Sequence, residues 1–344
     1  MKRDRFEELL AKFPSRRVAV IGDFFLDKYL EVDPRLAETS VETGKVANQV
    51  VEIRTSPGAA GTVVNNLAAL GAGELHAIGA TGDDGEAYDL RRGLEARNCS
   101  IASLIPFPSL HTPTYLKPRD VNDASLEGEH ERYDTKNRKR TPPEVGERVL
   151  AEIDRLLPRV DALIVADQVE QTDCGVVTAA VRGAIAERAR RHPKVHLWAD
   201  SRTHIRAFRH VIIKPNQFEA VGHANPRPGE TVPLDRLRES IPTLRAETGA
   251  PVCCTRGAEG MIVSDPQVTV IPGVRLTGPI DPTGAGDSAT AGAVLALASG
   301  ATLPEAALVG CLVASITVQQ LATTGTATPA QVLERLEIWR EQNS

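Results

Sequence analysis

A short glycine-rich segment near the C-terminal end of the chain holds the residues best suited to chemistry. It runs from Asp281 to Asp287 (Asp-Pro-Thr-Gly-Ala-Gly-Asp) and is followed by small and apolar residues over 288–300. Glycines before a helix leave backbone N–H groups unpaired and pointing in one direction, at the positive end of the helix dipole. The segment therefore predicts an anion-binding site at the start of a buried helix.

Asp287 needs a separate explanation, because a carboxylate repels a bound phosphate. It is suited to accept a proton from a hydroxyl while the N–H groups of Gly284, Ala285 and Gly286 stabilise the phosphoryl group that the hydroxyl attacks. The alternative is an ordinary helix start, at which Asp287 only interacts favourably with the helix dipole.

The spacing Gly284-x-Gly286-x-x-Ala289 also fits the loose form of a dinucleotide-binding fingerprint. That motif should follow a strand directly, with an acidic residue at the end of the next strand about 20 residues on. Glu305 lies near that distance, but its surroundings (Leu-Pro-Glu-Ala) predict another helix start. The context therefore argues against a dinucleotide site.

The elements that would position this loop alternate between strand and helix patterns. Strands are predicted at 17–21, 75–78, 162–165, 195–199, 210–213 and 252–254, and helices at 62–70, 86–96, 143–157, 175–191 and 234–247. Alternation of this kind predicts an α/β fold with a parallel sheet covered on both faces. Ligands bind beyond the carboxyl ends of such strands, where Asp23, Asp167, Asp200 and Asn216 would converge.

Two segments, 30–56 and 110–135, interrupt the alternation. Both have strand character without a helix, and the second becomes very polar after residue 117. Long insertions without structure are uncommon in compact domains, which favours two functional segments over two surface excursions. The segments 1–29, 57–109 and 136–344 then form the predicted core.

Composition sets broad limits on function. The chain has 344 residues, 42% of them hydrophobic, and a formal net charge of −5, so it has no basic field for nucleic acid. Its five cysteines are odd in number and lack metal-ligand spacing. No apolar run reaches the length of a membrane span, and the charged N-terminus differs from a signal peptide. We expect a cytoplasmic protein without a membrane partner.

Several motifs, in order along the chain, resemble those of the ribokinase-like (PfkB) carbohydrate kinases. The Asp281–Asp287 segment resembles their second signature. The other matches are Val18-Ala-Val-Ile-Gly-Asp23 with Asp27, Ser56-Pro-Gly58-Ala59-Ala-Gly-Thr62, Asn216-x-x-Glu219, and Thr255-x-Gly257-x-x-Gly260. The resemblance covers nearly the whole chain. It implies a three-layer sandwich with a central, mostly parallel sheet and a small β lid, which in many relatives pairs with a second subunit's lid. A homodimer is therefore expected.

The resemblance also implies ATP-dependent phosphorylation of a hydroxyl on a small sugar or sugar phosphate. Asp287 would be the base, with Gly284, Ala285 and Gly286 as the anion hole. Asn216 and Glu219 would organise Mg²⁺ through water, and Thr255, Gly257 and Gly260 would line the nucleotide. Asp281 and Thr283 would hold a monovalent cation, with K⁺ the candidate, beside backbone from about 321 to 325. The implied substrate residues are Asp23, Asp27, Gly58, Ala59, Thr62, Lys117 and Arg132.

Within the family the pattern is most similar to the heptose-7-phosphate kinases, through Gly22-Asp23-Phe-Phe-Leu-Asp27, Thr112-x-Thr114-x-x-Lys117 and Arg132-x-Asp134. The sugar side departs from that pattern. Thr62 stands where an Asn is expected, Ala59 replaces a Gly, Asp167-Gln-Val-Glu-Gln replaces Asp-Tyr-x-Lys-Gly, and Asp200-Ser-Arg replaces Asp-Pro-Lys.

Two hypotheses follow. The first is a sugar or sugar-phosphate kinase, with a heptose phosphate as first guess. The second is a regulatory or ligand-binding protein on the kinase scaffold, without turnover. Lys117, Arg132 and Arg202 favour a phosphorylated acceptor. The alternative for these cations is surface charge or pairing with Glu127, Glu129 and Glu131.

Overall fold

The structure is a computed structural model that describes residues 1–123 and 126–344. In these ranges the strands are β1 (Arg17–Gly22), β2 (Phe24–Val32), β3 (Glu38–Thr39), β4 (Val46–Ala47), β5 (Val50–Ala59), β6 (Glu74–Thr81), β7 (Cys99–Pro106), β8 (Thr114–Asp120), β9 (Tyr133–Thr135), β10 (Ala162–Asp167), β11 (His196–Ser201), β12 (Ile212–Ile213), β13 (Cys253–Thr255), β14 (Met261–Val263) and β15 (Thr269–Ile271). The helices are α1 (Arg3–Leu10), α2 (Ala60–Ala69), α3 (Gly85–Glu95), α4 (Pro143–Leu156), α5 (Ala179–Arg191), α6 (Gln217–Ala220), α7 (Leu234–Thr248), α8 (Ala285–Ala298), α9 (Leu303–Thr317) and α10 (Pro329–Gln342).

A six-stranded parallel sheet, in the order β12-β11-β10-β1-β6-β7, forms the middle layer. Alternate residues of β1 face opposite sides, as the period of a strand requires. Val18 and Val20 pack in the core that contains α2, α8 and α9, while Ala19 and Ile21 pack in the core that contains α4, α5 and α7. Burial on both faces explains why these strands are continuous apolar runs. The predicted three-layer α/β sandwich is confirmed.

The lid is a four-stranded sheet in the order β5-β2-β8-β9. Strand β2 pairs with β5 in antiparallel and with β8 in parallel orientation. Only Asp23 separates β2 from the central strand β1, so the chain passes directly from the core into the lid. The lid sheet includes residues 24–29 and 57–59, beyond the segments 30–56 and 110–135. The division of the chain into domains remains a prediction.

Helix α5 differs most from its predicted bounds. Helix α5 begins at Ala179 with Thr178 as its N-cap, whereas the sequence predicts a start at 175. Residues 168–178, called here the cover loop, stay irregular because the N–H of Val176 donates to Asp23, far away in sequence. Within the described ranges no helix is long and apolar enough to cross a membrane.

Candidate active site

The loop before α8, residues 281–287, is called here the phosphate loop. Gly284 is the N-cap of α8 and has φ of 76°, a conformation that favours glycine. The N–H of Ala285 donates to the carbonyl of Pro282 at 3.1 Å, so it closes a turn. In the described parts of the chain, the N–H groups of Gly284 and Gly286 have no protein acceptor. Two of the three predicted donors are therefore available to an anion.

Asp287 lies in the first turn of α8. Burial in the cleft, together with the nearby Asp200 carboxylate, raises the pKa of Asp287 to about 7, although Lys214 and Arg202 oppose the shift. A carboxylate with a pKa near neutrality is a competent acceptor for the proton of a hydroxyl. Asp287 thus lies in the first turn of α8 with a raised pKa, and its role as the base remains a prediction.

The carboxyl end of β11 brings a second charged pair to this place. Lys214, directly after β12, is 6% exposed, and its Nζ lies 2.9 Å from Oδ2 of Asp200. The same Nζ lies 3.4 Å from the position that a Cβ would take on Gly286. Sequence reasoning left Lys214 without a role. The sequence feature that could have pointed to Lys214 is its position at the carboxyl end of a strand, directly before the Asn-x-x-Glu motif.

The start of the phosphate loop is tied to the loop after α9. The Asp281 carboxylate accepts hydrogen bonds from the N–H groups of Thr283 at 3.0 Å and Ala322 at 3.3 Å. The N–H of Asp281 donates to the carbonyl of Val318 at 2.7 Å. The two segments predicted to surround a monovalent cation are therefore in contact through Asp281.

On the nucleotide side, Asn216 and Glu219 form a capping box around α6. The Asn216 side chain accepts from the N–H of Glu219, and the Glu219 carboxylate accepts from the N–H of Asn216 at 2.7 Å. Asn216 also bridges to Thr255 on β13. Burial raises the pKa of Glu219, although the hydrogen bond from the Asn216 N–H and the positive charge of Lys214 act to lower it.

Beyond Thr255 the chain turns at Gly257 (φ 58°) and Gly260 (φ 89°). A Cβ on Gly260 would lie 2.2 Å from the Ile271 carbonyl oxygen, so only glycine fits there. The described residues include no group of three metal-ligating side chains.

On the acceptor side, Asp27 and Lys117 meet inside the lid. Both are nearly inaccessible to solvent, and Oδ1 and Nζ are 2.8 Å apart. Gly58 lies against this pair, since a Cβ on it would be 2.6 Å from Oδ2 of Asp27. The structure brings these three predicted substrate residues together, with Lys117 already neutralised.

Asp23, predicted as a sugar contact, is held at the edge of the cover loop. Its carboxylate accepts backbone hydrogen bonds from Gln168 at 3.0 Å and Val176 at 2.7 Å, and it is 4% exposed. Burial and the neighbouring Asp167 raise the pKa of Asp23 to about 6. Asp23 therefore anchors the cover loop and also lines the pocket beside it, and its contact with the sugar remains a prediction.

The first signature joins the acceptor side to the phosphate loop. Ala59, with φ of 53°, precedes helix α2, and Thr62 is buried in the first turn of that helix. A Cβ on Gly284 would lie 3.3 Å from the Thr62 methyl group. Asn66 on the same helix donates to the carbonyl of Gly325 at 3.3 Å. Helix α2 therefore contacts both the phosphate loop and the loop after α9, the two segments beside the predicted cation site.

Basic side chains surround Tyr115 on the lid. The Arg132 guanidinium lies 4.5 Å, and Lys136 Nζ 5.5 Å, from the centre of the Tyr115 ring. Arg132 pairs with Asp134 at 2.7 Å, and Lys136 lies 3.6 Å from the same carboxylate. This group, called here the Tyr115 cluster, has two cations for one carboxylate. Sequence reasoning gave Lys136 no role, because this residue follows the lid segment in sequence. Arg202, the third cation considered for the acceptor, lies outside the cluster and pairs with Glu170 at 2.9 Å.

The Tyr115 cluster borders a pocket of about 630 Å³, including space open to solvent, that Asp23 and the cover loop also line. Such concave sites with a few charged groups are where small molecules bind. Arg132 forms an ion pair with Asp134 and Arg202 with Glu170, and Glu129 adds a further attraction to Arg132.

A family model described as pfkB family carbohydrate kinase matches residues 16–331. The chain belongs to this family. It is a carbohydrate kinase, and the family and fold implied by its motifs are confirmed.

Curated relatives include the bifunctional protein HldE of Caulobacter vibrioides, 28% identical over 327 residues. The match covers 93% of this chain and 63% of that protein. Among solved structures, Arabidopsis thaliana ribokinase complexed with ribose and ATP has a TM-score of 0.66 at 15% identity, covering 94% of this chain and 99% of that one. Escherichia coli phosphofructokinase-2 in complex with fructose-6-phosphate has a TM-score of 0.67 at 16% identity, covering 96% and 100%.

Proposed function

We propose that this kinase transfers the γ-phosphoryl group of ATP to a hydroxyl of a sugar phosphate, with a heptose phosphate as the first candidate. The observation that carries the proposal is the Tyr115 cluster, where Arg132 and Lys136 share the Asp134 carboxylate and where Tyr115 and Lys136 line the pocket under the lid. A neutral sugar does not need these two cations, whereas they complement an acceptor that already carries a phosphate.

The relatives support the same substrate class. Phosphofructokinase-2 is a structural neighbour solved with a sugar phosphate, and the HldE relatives match most of this chain. This chain spans about 63% of the length of the Caulobacter protein, so the proposal concerns the kinase step alone.

In the proposed reaction, the acceptor hydroxyl gives its proton to the Asp287 carboxylate as its oxygen bonds to the γ-phosphorus. The bond between that phosphorus and the leaving oxygen of ADP breaks in the same step. The N–H groups of Gly284 and Gly286 hold the transferring group, and this is the electrostatic part of catalysis. Asp27 and Gly58 line the acceptor side.

Thr255, Gly257 and Gly260 line the proposed nucleotide site, with Asn216 and Glu219 at its phosphate end. Mg²⁺ bound there would neutralise phosphate charge. Asp281 and Thr283, with the 321–325 backbone, form the proposed monovalent cation site, where K⁺ would stiffen the phosphate loop.

A second candidate is a ligand-binding protein without turnover. It is favoured by Asp23, whose oxygens are both occupied by the cover loop. In that case a sugar phosphate would bind in the pocket, and no ADP would be formed.

Release of ADP should be measured with matched phosphorylated and unphosphorylated sugars, including a heptose 7-phosphate and its free heptose. We expect kcat/KM to favour the phosphorylated member of the productive pair. Arg132→Ala and Lys136→Ala should each lower kcat/KM about 10-fold for that member, since a hydrogen bond to a charged group contributes about 1.5–3 kcal/mol. The free sugar should be unaffected.

Arg140→Ala is the matched control, because Arg140 is exposed and lies outside the pocket. If kcat/KM favours free sugars and neither Arg132→Ala nor Lys136→Ala changes it, the phosphorylated acceptor is excluded. Binding of a sugar phosphate without any ADP release would favour the second candidate.

A further inference from the structure

Lys214 is a buried lysine that none of the family motifs discussed above explains. Among the described residues its ion-pair partner is Asp200, at 2.9 Å, and an ammonium group has three N–H donors. Its side chain is 6% exposed, so donors without protein partners are not compensated by bulk solvent. Such a group is suited to a partner that arrives with the substrates.

The direction in which Lys214 extends identifies that partner. Its Nζ lies 3.4 Å from the position of a Cβ on Gly286, one of the two phosphate-loop residues whose N–H groups have no acceptor among the described residues. Asp200, which holds the lysine, also accepts from the Thr290 hydroxyl on α8 at 3.4 Å. The Lys214–Asp200 pair is therefore in contact with α8, the helix at whose N-terminus the sequence predicts an anion site.

The ammonium group of Lys214 is matched by the Asp200 carboxylate at the end of β11, 2.9 Å away. Arg202, two residues after Asp200 in the Asp-Ser-Arg segment, pairs with Glu170. The cation beside Asp200 is therefore Lys214, which follows the neighbouring strand β12.

We propose that Lys214 is a catalytic residue that donates a hydrogen bond to the transferring phosphoryl group. Asp200 is its positioning residue. As the new oxygen–phosphorus bond forms and the bond to ADP breaks, negative charge spreads over the phosphoryl oxygens. Lys214 stays protonated throughout, because the hydroxyl proton goes to Asp287. A preorganised cation at this point stabilises the transition state more than bound ATP.

The test uses MgADP with aluminium fluoride, which imitates the transferring phosphoryl group, and so needs no knowledge of the acceptor. We expect aluminium fluoride to tighten MgADP binding to the wild-type protein. In Lys214→Met this tightening should fall about 100-fold, the effect of removing one preorganised donor, while MgADP alone binds within about threefold of wild type. ADP release with the productive acceptor should fall by the same factor.

Two further variants separate catalysis from folding. Asp200→Asn combined with Lys214→Met removes the unpaired carboxylate, and it should restore the melting temperature without restoring activity. Lys214→Ala should regain turnover with added methylammonium in proportion to its concentration. Lys28→Met is the matched control, since Lys28 pairs with Glu86 and Asp89 outside the site.

Retention of wild-type tightening and turnover in Lys214→Met would overturn the proposal. Recovery of activity in the double variant would assign the pair to stability alone. A wild-type protein that neither tightens with aluminium fluoride nor releases ADP would also refute it. Tightening without ADP release from any sugar would count against the proposed acceptor and leave Lys214 supported.

Discussion

Asp27 on β2 and Lys117 on β8 form a buried ion pair, with 2.8 Å between the carboxylate and the ammonium group, in the middle of the lid. Lys117 also lies 3.4 Å from the Tyr29 hydroxyl and 4.9 Å from the centre of its ring. These contacts join two lid strands that come from distant parts of the sequence. They also mean that Lys117 adds no net charge to the acceptor site.

Lys117→Met should destabilise the protein by about 3 kcal/mol, because breaking a buried pair leaves a carboxylate without a partner. The free energy of unfolding in urea measures this. Asp27→Asn combined with Lys117→Met should recover most of the loss, since neither charge then remains. Lys28→Met, at a more exposed pair, should cost no more than about 1 kcal/mol. Equal losses in the single and double variants would contradict this account.

Asp287→Asn should lower turnover about 10³-fold and leave ATP affinity nearly unchanged, because an amide cannot accept the proton. In the wild type, kcat/KM should rise with pH through about 7, since the base must be ionised and the pKa of Asp287 is raised to about 7. Asp200→Asn removes a like charge and should move this rise to lower pH. An Asp287→Asn variant with a tenth of wild-type turnover would exclude Asp287 as the base.

Replacement of Na⁺ by K⁺ at constant ionic strength should raise kcat or ATP affinity. The reason is the contact of Asp281 with both the phosphate loop and the loop after α9, which a bound cation would stiffen. Asp281→Asn should abolish the difference between the two salts. Identical kinetics of the wild type in K⁺ and Na⁺ would remove the proposed cation site.

The lid carries exposed apolar side chains of the kind that marks an interface. Val41 is 96% and Ile53 59% exposed, and Val46 and Tyr133 are also exposed. We expect a homodimer through the lid, measured by light scattering after size exclusion. Ile53→Glu should shift the protein to the monomer, whereas Ile338→Glu on α10 should not. A monomeric wild type at micromolar concentration would contradict this expectation.

Most of the fold could be predicted from sequence because strands buried on both faces are short apolar runs between amphipathic helices. The Asn216–Glu219 capping box could also be predicted, since its contacts are local. The start of α5 could not, because it depends on a bond between Val176 and a carboxylate 153 residues away. Lys214 and Lys136 were missed for a related reason. A lysine after a strand is common, and only the tertiary structure brings Lys214 to Asp200 or Lys136 to Tyr115.

The direct passage from β1 to β2 through Asp23 limits how this lid can be modified. A lid that is joined to the core by flexible linkers could be transferred as a unit from one relative to another. Here the first lid strand continues a central strand, and the one residue between them, Asp23, also anchors the cover loop. A transplanted lid would have to bring β1, Asp23 and residues 168–178 with it. Acceptor preference is therefore better redesigned by changing side chains within the lid than by replacing it.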